Sequence, residues 1–403
     1  LRLTIRKKLL ILSFVAIVIP LIISAAVIIF IVTQKTREEA LNKIRLSSRL
    51  ASAQIRDRSE GMIQAAKNMA MTALQYDFTG VLERTGTVTP EQELEQRKAV
   101  NVLNSFKQEV ALDYLILTDE QGRVLYRANN PDQMGDALAS LDPLLAQSLA
   151  EGSIIFGSVK LPIDFIALEK LEGALELGVQ NRRVESALAM EVVVPLRVRD
   201  ELQGALVIGD VINNDNTLVD ELKALVFRDN IQEGSATIYL GDVAVASSRS
   251  GEFGRGVGEN VTAAISELVT QQGKEFIGPE VIGDTNYISA YVPIKDFNNQ
   301  VIGIYSVSVR ESWFLEFETY IRTFILIVIG VAIIFSILLT YIAAGRLTRP
   351  IEEITEAANK ISLGDLDVSI QVGGEGDEIG ELGESLERMR ISLKSAIERL
   401  RRR

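Results

Sequence analysis

At 403 residues and a formal net charge of −12, the chain is long enough for two or three domains, and it shows no basic groove of the kind that grips nucleic acid. It has no Cys and no His, which excludes disulfides, thiol nucleophiles, a Ser–His triad, His-ligated zinc and a phospho-accepting histidine of its own. A complete histidine kinase is therefore not encoded here.

Leu1 stands where a start methionine is expected, and Arg2, Arg6, Lys7 and Lys8 lead straight into an apolar run, which favours an alternative start codon. The run covers residues 9–32 and is broken only by Ser13, Pro20 and Ser24. About 20 apolar residues at 1.5 Å each cross a hydrocarbon layer of about 30 Å. A retained membrane helix is expected, because the apolar core of a cleaved leader is usually only about 7–15 residues.

Residues 34–76 carry Leu41, Ile44, Ser48, Ala51, Ile55, Met62, Met69, Ala73 and Tyr76 near a 3.5-residue rhythm. This seam suits a second copy of the chain or an ordinary core helix equally. Gly80, Gly86 and Pro90 end it, and a second helix is expected over 91–110.

The period then changes to two. Strands are expected at 114–118 and 124–128 around Asp119-Glu120-Gln121-Gly122, then a helix over 138–150 and a strand at 154–159. A helical stretch near 166–177 precedes a hairpin of 188–198 and 204–212. The same order recurs as strands 236–240 and 243–248, a helix over 260–272, and a hairpin of 286–294 and 301–309. Met134-Gly135-Asp136 parallels Val257-Gly258-Glu259, Ala150-Glu151-Gly152 parallels Gln271-Gln272-Gly273, and Gly204 parallels Gly303. One module is present twice, the first copy holding about 20 extra residues.

Residues 324–344 are a second apolar run without a charge, followed by Arg346 and Arg349. Trp313 precedes it as an interfacial anchor. Basic residues flank both runs on what is expected to be the cytoplasmic side, placing both termini in the cytoplasm and residues 33–320 outside.

Beyond Pro350 at a helix start, Ile351, Ile354, Ala358 and Ile361 step 3-4-3. Gly364, Leu366, Val368 and Ile370 form a non-helical connector. Asp377 and Glu378 open a helix in which Ile379, Leu382, Leu386, Met389, Leu393, Ala396 and Leu400 repeat 3-4. This segment resembles a HAMP domain, with its Pro in the first helix and Asp-Glu-x-Gly (Asp377, Glu378, Gly380) at the second. The resemblance implies a parallel four-helix bundle in a homodimer, with Pro350, Ile351, Ile354, Ile361, Gly364, Leu366, Glu378, Leu382, Leu386 and Met389 as relay residues.

The external segment resembles the double-Cache sensor fold. The resemblance is carried by LTDEQGRVLYRANNPDQMGD in the first module and YISAYVPIKDFNNQVIGIYSVSV in the second. The whole is thus expected to be α+β: two PAS-like antiparallel modules on a long N-terminal helix, two membrane helices and a C-terminal HAMP coiled coil. Expected boundaries are a cytoplasmic 1–8, a membrane helix at 9–32, a helical stalk at 33–110, modules at 111–213 (membrane-distal) and 214–320 (membrane-proximal), a membrane helix at 321–344 and HAMP at 345–400.

In double-Cache receptors the first module usually holds the ligand. Arg127 is placed to grip a carboxylate bidentately, with Tyr114, Tyr126, Asn129, Lys160 and Arg182 as companions and Arg183 beside the last. Tyr239, Tyr287 and Tyr291 are candidates for a second cavity. No catalytic residue, metal ligand or cofactor is expected. The reading is a receptor that passes a stimulus to a cytoplasmic kinase or other output protein, as a co-receptor or as a truncated receptor. A structural envelope protein and an external hydrolase with paired carboxylates are the other two readings.

Overall fold

A computed structural model describes residues 5–83, 89–178, 182–228, 234–251, 254–370 and 378–401. Arg2, Gly86, Asp377 and the side chains of Trp313 and Leu400 lie outside the described residues. The chain divides into two compact units, one of Leu1–Thr36 with Glu316–Arg403 and one of Arg37–Leu315.

In the first of these, α1 (Ile5–Gln75) and α8 (Ser312–Ser362) supply two helices long and apolar enough to cross a membrane. Their apolar stretches turn outward: Ile19, Ile23, Phe30, Phe324, Val331 and Ile334 are all exposed. In water such a surface would be costly, whereas hydrocarbon solvates it. Pro350 does not start a helix as expected; it lies inside α8, which runs on to Ser362. An isolated proline costs one backbone hydrogen bond, and the helix around it continues past the loss. Gly364, at a φ of 94°, turns the chain out of α8, and α9 (Glu378–Arg401) follows the connector. Arg390 of α9 donates to the carbonyl of Leu366 (2.5 Å), and Lys394 pairs with Asp367 (2.5 Å), tying the connector to α9.

The second unit begins with the rest of α1 and two further helices, α2 (Phe78–Glu83) and α3 (Pro90–Val110). Thr89 and Gln92 cap α3 reciprocally, satisfying two of its otherwise orphaned amides. The first module is a sheet of β1 (Tyr114–Thr118), β2 (Val124–Arg127), β3 (Ile155–Pro162), β4 (Ser186–Val198) and β5 (Glu201–Val211), in the order β2-β1-β5-β4-β3. Between β2 and β4 lie α4 (Pro143–Glu151) and α5 (Ile163–Leu168). The helix expected near 166–177 is instead α5 and a separate 3-10 turn, Glu172–Leu175, divided by Lys170 in a left-handed conformation.

After α6 (Asn216–Val226), the second module is built from β6 (Gly234–Leu240), β7 (Val243–Ser247), β8 (Phe276–Ile282), β9 (Thr285–Lys295) and β10 (Val301–Arg310). Its order is β7-β6-β10-β9-β8, strand for strand that of the first module. The expected duplication therefore holds at the level of topology, and it also reaches single residues. Gly135 and Gly258 both have positive φ and both donate to the second strand of their module, to Val124 and Ala244. Arg127 pairs with Asp136, whereas its counterpart by register is Ser247, and Arg249, two residues further on, pairs with Glu259. A Cβ on Gly204 would collide with the carbonyl of Thr118, and one on Gly303 with that of Tyr239.

Two elements of the second module escaped the sequence pattern. β8 contains Gly278 and Pro279, which break an alternating run, and a proline is tolerated there because β8 is an edge strand. α6 follows Asp215, which caps it through Leu218 N. The helix expected over 260–272 is α7 (Ala263–Ile265) continued by a π-helical turn, Ser266–Gln271.

One apolar core joins both sheets to α1 and α3. It includes Ile44, Ala51, Met62, Met69 and Ala73 of α1, Leu103 of α3, Leu115 and Leu117 of β1, and Ile238 and Val307 of the second module. The stalk seam is thus a core face of the same chain, and Tyr76, expected on that seam, is exposed. The opposite face of the first sheet is covered by α4 and α5, with Ile116, Leu144, Leu145, Phe165, Val193 and Val207 packed together. A third, smaller cluster lies in the second module around Tyr239, Tyr291 and Ile304.

Candidate functional site: a buried carboxylate cluster in the first module

Alternation along β1 sends Leu115 and Leu117 toward the stalk and Tyr114 and Ile116 toward α4 and α5. On that second face Tyr114, Gly209 and Glu191 lie side by side on β1, β5 and β4. A side chain on Gly209 would occupy the space of the Tyr114 ring. Its absence lets the ring lie across β5, so that Tyr114 Oη donates to Glu191 Oε2 at 2.6 Å. Phe165 of α5 meets the same ring edge-on.

Asp142 caps α4 by accepting from Leu145 N (3.1 Å), and its carboxyl adjoins that of Glu191. Glu169, at the end of α5, completes a set of buried acids that act on Tyr114. Arg127 Nε donates to Glu169 Oε1 (2.5 Å), while its two terminal nitrogens grip Asp136 (2.5 and 2.8 Å). Three carboxylate oxygens, Asp142 Oδ2, Glu169 Oε2 and Glu191 Oε1, find no hydrogen-bond donor among the described residues.

Burial sets the protonation states. It pushes Glu191 well up, and the neighbouring Asp142 pushes it further. Burial likewise raises Asp142 against the pull of its amide donors. Glu169 is pushed up to about 7, because burial outweighs the attraction of Arg127. Asp136, 25% exposed, is held below the usual carboxylate range by its hydrogen bond to Arg127. The Tyr114 phenol is raised by burial and by Glu191, so it stays a hydrogen-bond donor.

Of the residues singled out from the sequence, only Tyr114 and Arg127 come together here, through Glu169. Arg127 does meet carboxylates, but they are the module's own. Tyr126 points to the stalk core and donates to Asn104 (2.8 Å). Asn129 donates to the Asp113 carbonyl and accepts from Lys107. Lys160 is exposed on edge strand β3. Arg182 reaches the second module, donating to Gly258 O (2.6 Å) and Asn260 Oδ1 (2.5 Å), and Arg183 is exposed. In the second module Tyr239 and Tyr291 pack together, and Tyr291 donates to Glu280 (2.6 Å). Asp142, Glu169 and Glu191 were missed. Glu191 had a readable signal, since it is the one charge within the apolar stretch of residues 187–196.

Near the join of the modules, Arg58 of α1 pairs with Asp210 at the end of β5 and with Asp215, the cap of α6. It borders a cleft of about 580 Å³ that Asp113, Lys170 and Asn214 also line.

Residues 210–319 match the family described as single Cache domain 3, and residues 342–395 match the HAMP domain. No curated protein matches the sequence. Among solved structures, the ligand-binding domain of the Campylobacter jejuni chemoreceptor Tlp3 in complex with 4-methylisoleucine is similar at 8% identity and a TM-score of 0.42, over 70% of this chain and 94% of that one. The Vibrio cholerae LuxQ periplasmic domain is similar at 11% identity and a TM-score of 0.41, over 67% of this chain and 99% of that one. With a Cache domain, a HAMP domain and two helices of membrane-spanning length and composition, the chain is a transmembrane signal receptor.

Proposed function

We propose that this receptor is a homodimer of the bacterial inner membrane with both termini in the cytoplasm and the two-module unit outside. It senses a small molecule there and passes the signal through HAMP to a chemotaxis or two-component output. The observation that carries the reading is the order of parts: a Cache domain and a HAMP domain on either side of a membrane-length helix. A pairing partner is supported by α9, where Leu382, Met389 and Leu393 are exposed at heptad spacing. A stripe of that kind is stable in water only when another helix covers it.

The ligand face is the α4 and α5 side of the first module. There Arg127 exchanges the partly exposed Asp136 for a ligand carboxylate, moving the loop that carries Asp136. The ligand acts by binding one arrangement of the paired modules more tightly than the other.

The test is a thermal-shift screen of the full chain in lipid nanodiscs against organic acids, amino acids and amines. At least one compound raises the melting temperature of the wild type, and Arg127→Lys, which keeps the charge but not the fork, loses a carboxylate-dependent shift. If no compound raises it, the small-molecule reading fails. Protease accessibility of the two-module unit from the cytoplasmic side would overturn the topology.

A further inference from the structure

The two modules diverge in chemistry at one row of their shared sheet. Where the first module places Tyr114, Gly209 and Glu191, the second places Ser235, Ser308 and Ser289. That row is uncharged, with Ser289 donating to Ser308 at 2.8 Å. The first module's row instead holds a buried carboxyl, with a second one, Asp142, beside it.

Among the described residues, no cation serves that pair. Arg127 is committed to Glu169 and Asp136. Lys160 on β3, Glu151 on α4 and Asp164 on α5 are all exposed, and Asp210 of β5 is engaged by Arg58. Among the described residues, Tyr114 from β1 donates to Glu191 and Glu169 from the end of α5 acts on Tyr114, and neither supplies positive charge. Tyr114 and Glu191 expose 0% of their surface and Asp142 1%, so water does not solvate the charge either. Two ionised carboxylates in contact within an apolar interior are untenable. A single proton resolves both faults, because it removes one charge and turns two orphaned oxygens, Asp142 Oδ2 and Glu191 Oε1, into one hydrogen bond.

We propose that Asp142 and Glu191 hold one proton between them, and that its loss in alkaline surroundings loosens the start of α4, making the first module responsive to acidity. The proton leaves to solvent, and only its O–H bond breaks. With both groups ionised, repulsion drives Asp142 away from Glu191 and from the Leu145 amide that it caps. What the switch controls rests on the receptor reading; the proton itself is measured without reference to signalling.

The experiment is infrared difference spectroscopy of the full chain in nanodiscs, paired with amide exchange of Pro143–Glu151 at matched pH. With Glu169 replaced by Gln throughout, because its own carboxyl is part-protonated near neutrality, the chain at neutral pH shows the C=O stretch of a protonated carboxyl, and adding Glu191→Gln or Asp142→Asn removes it. On moving to alkaline pH, protection of α4 falls about tenfold relative to Glu191→Gln, the loss expected for about one pKa unit of interaction. Should Glu191→Gln not fold, Asp142→Asn is the reference for the same comparison. A band that survives in both variants overturns the shared proton. Erasure of the parent band at neutral pH by alkylammonium salts overturns it too, by naming an organic cation as the occupant. Protection that does not follow pH overturns the switch.

Discussion

Arg127 illustrates how a residue can be chosen for its chemistry while the fold supplies partners that the sequence does not show. Its forked guanidinium is suited to a carboxylate, and the structure supplies two from within the module, Asp136 and Glu169. Removing it strands Glu169 in an apolar interior, so Arg127→Ala destabilises the protein by about 3–5 kcal/mol. A loss under about 1 kcal/mol in denaturant titration would show that the pair is not buried in solution. Glu169 gives a prediction in pH. Its folded pKa, about 7, lies above its ordinary value of 4.5. The stabilisation that this group contributes is therefore complete below about pH 4.5 and declines as pH rises to about 7. Glu169→Gln flattens the melting temperature across that window; an unchanged slope would assign it to another group. Gly209→Ala pushes a methyl into the Tyr114 ring and costs roughly 1–3 kcal/mol, which Tyr114→Ala in the same chain partly restores.

Among elements, α1 is packed against by both sheets. Two side chains, each making a pair of polar contacts, fix it further. Arg58 bridges the end of β5 and the cap of α6, and Tyr305 of β10 hydrogen-bonds Ser52 and the Ser48 carbonyl. β10 ends at Arg310 and α8 begins at Ser312, so the strand held to α1 leads in sequence to the second membrane helix. A double-mutant cycle of Tyr305→Phe with Ser52→Ala should give a coupling of about 0.5–1.5 kcal/mol. Strict additivity would remove this contact from the relay. Period-two and heptad patterns located most of these elements. They failed at β8, where an edge position tolerates Pro279, and at Pro350, where α8 continues through a residue that usually interrupts helices.

For the whole molecule, the proposed pairing of two chains is tested at the exposed apolar stripe on α9. With no native Cys, Leu386→Cys provides a single thiol against a clean background. In oxidised membranes it is expected to form a disulfide-linked dimer well before Arg388→Cys, whose position on the helix lies off the seam. Equal rates would sink the parallel bundle. Duplication gave the chain two modules of one topology, and the row Tyr114–Gly209–Glu191 against Ser235–Ser308–Ser289 shows where they have separated in chemistry.

Taken alone, the sequence determined the parts and their order: two membrane-length helices, a repeated α+β module and a HAMP segment. Each is written in a local period or in run length, and a period survives without knowing what packs against it. Only the tertiary structure decided which polar side chains meet. Asp142, Glu169 and Glu191 are far apart in the chain and ordinary in composition. What makes them unusual is the removal of water around all of them by α4 and α5, a consequence of folding that no single stretch of sequence records.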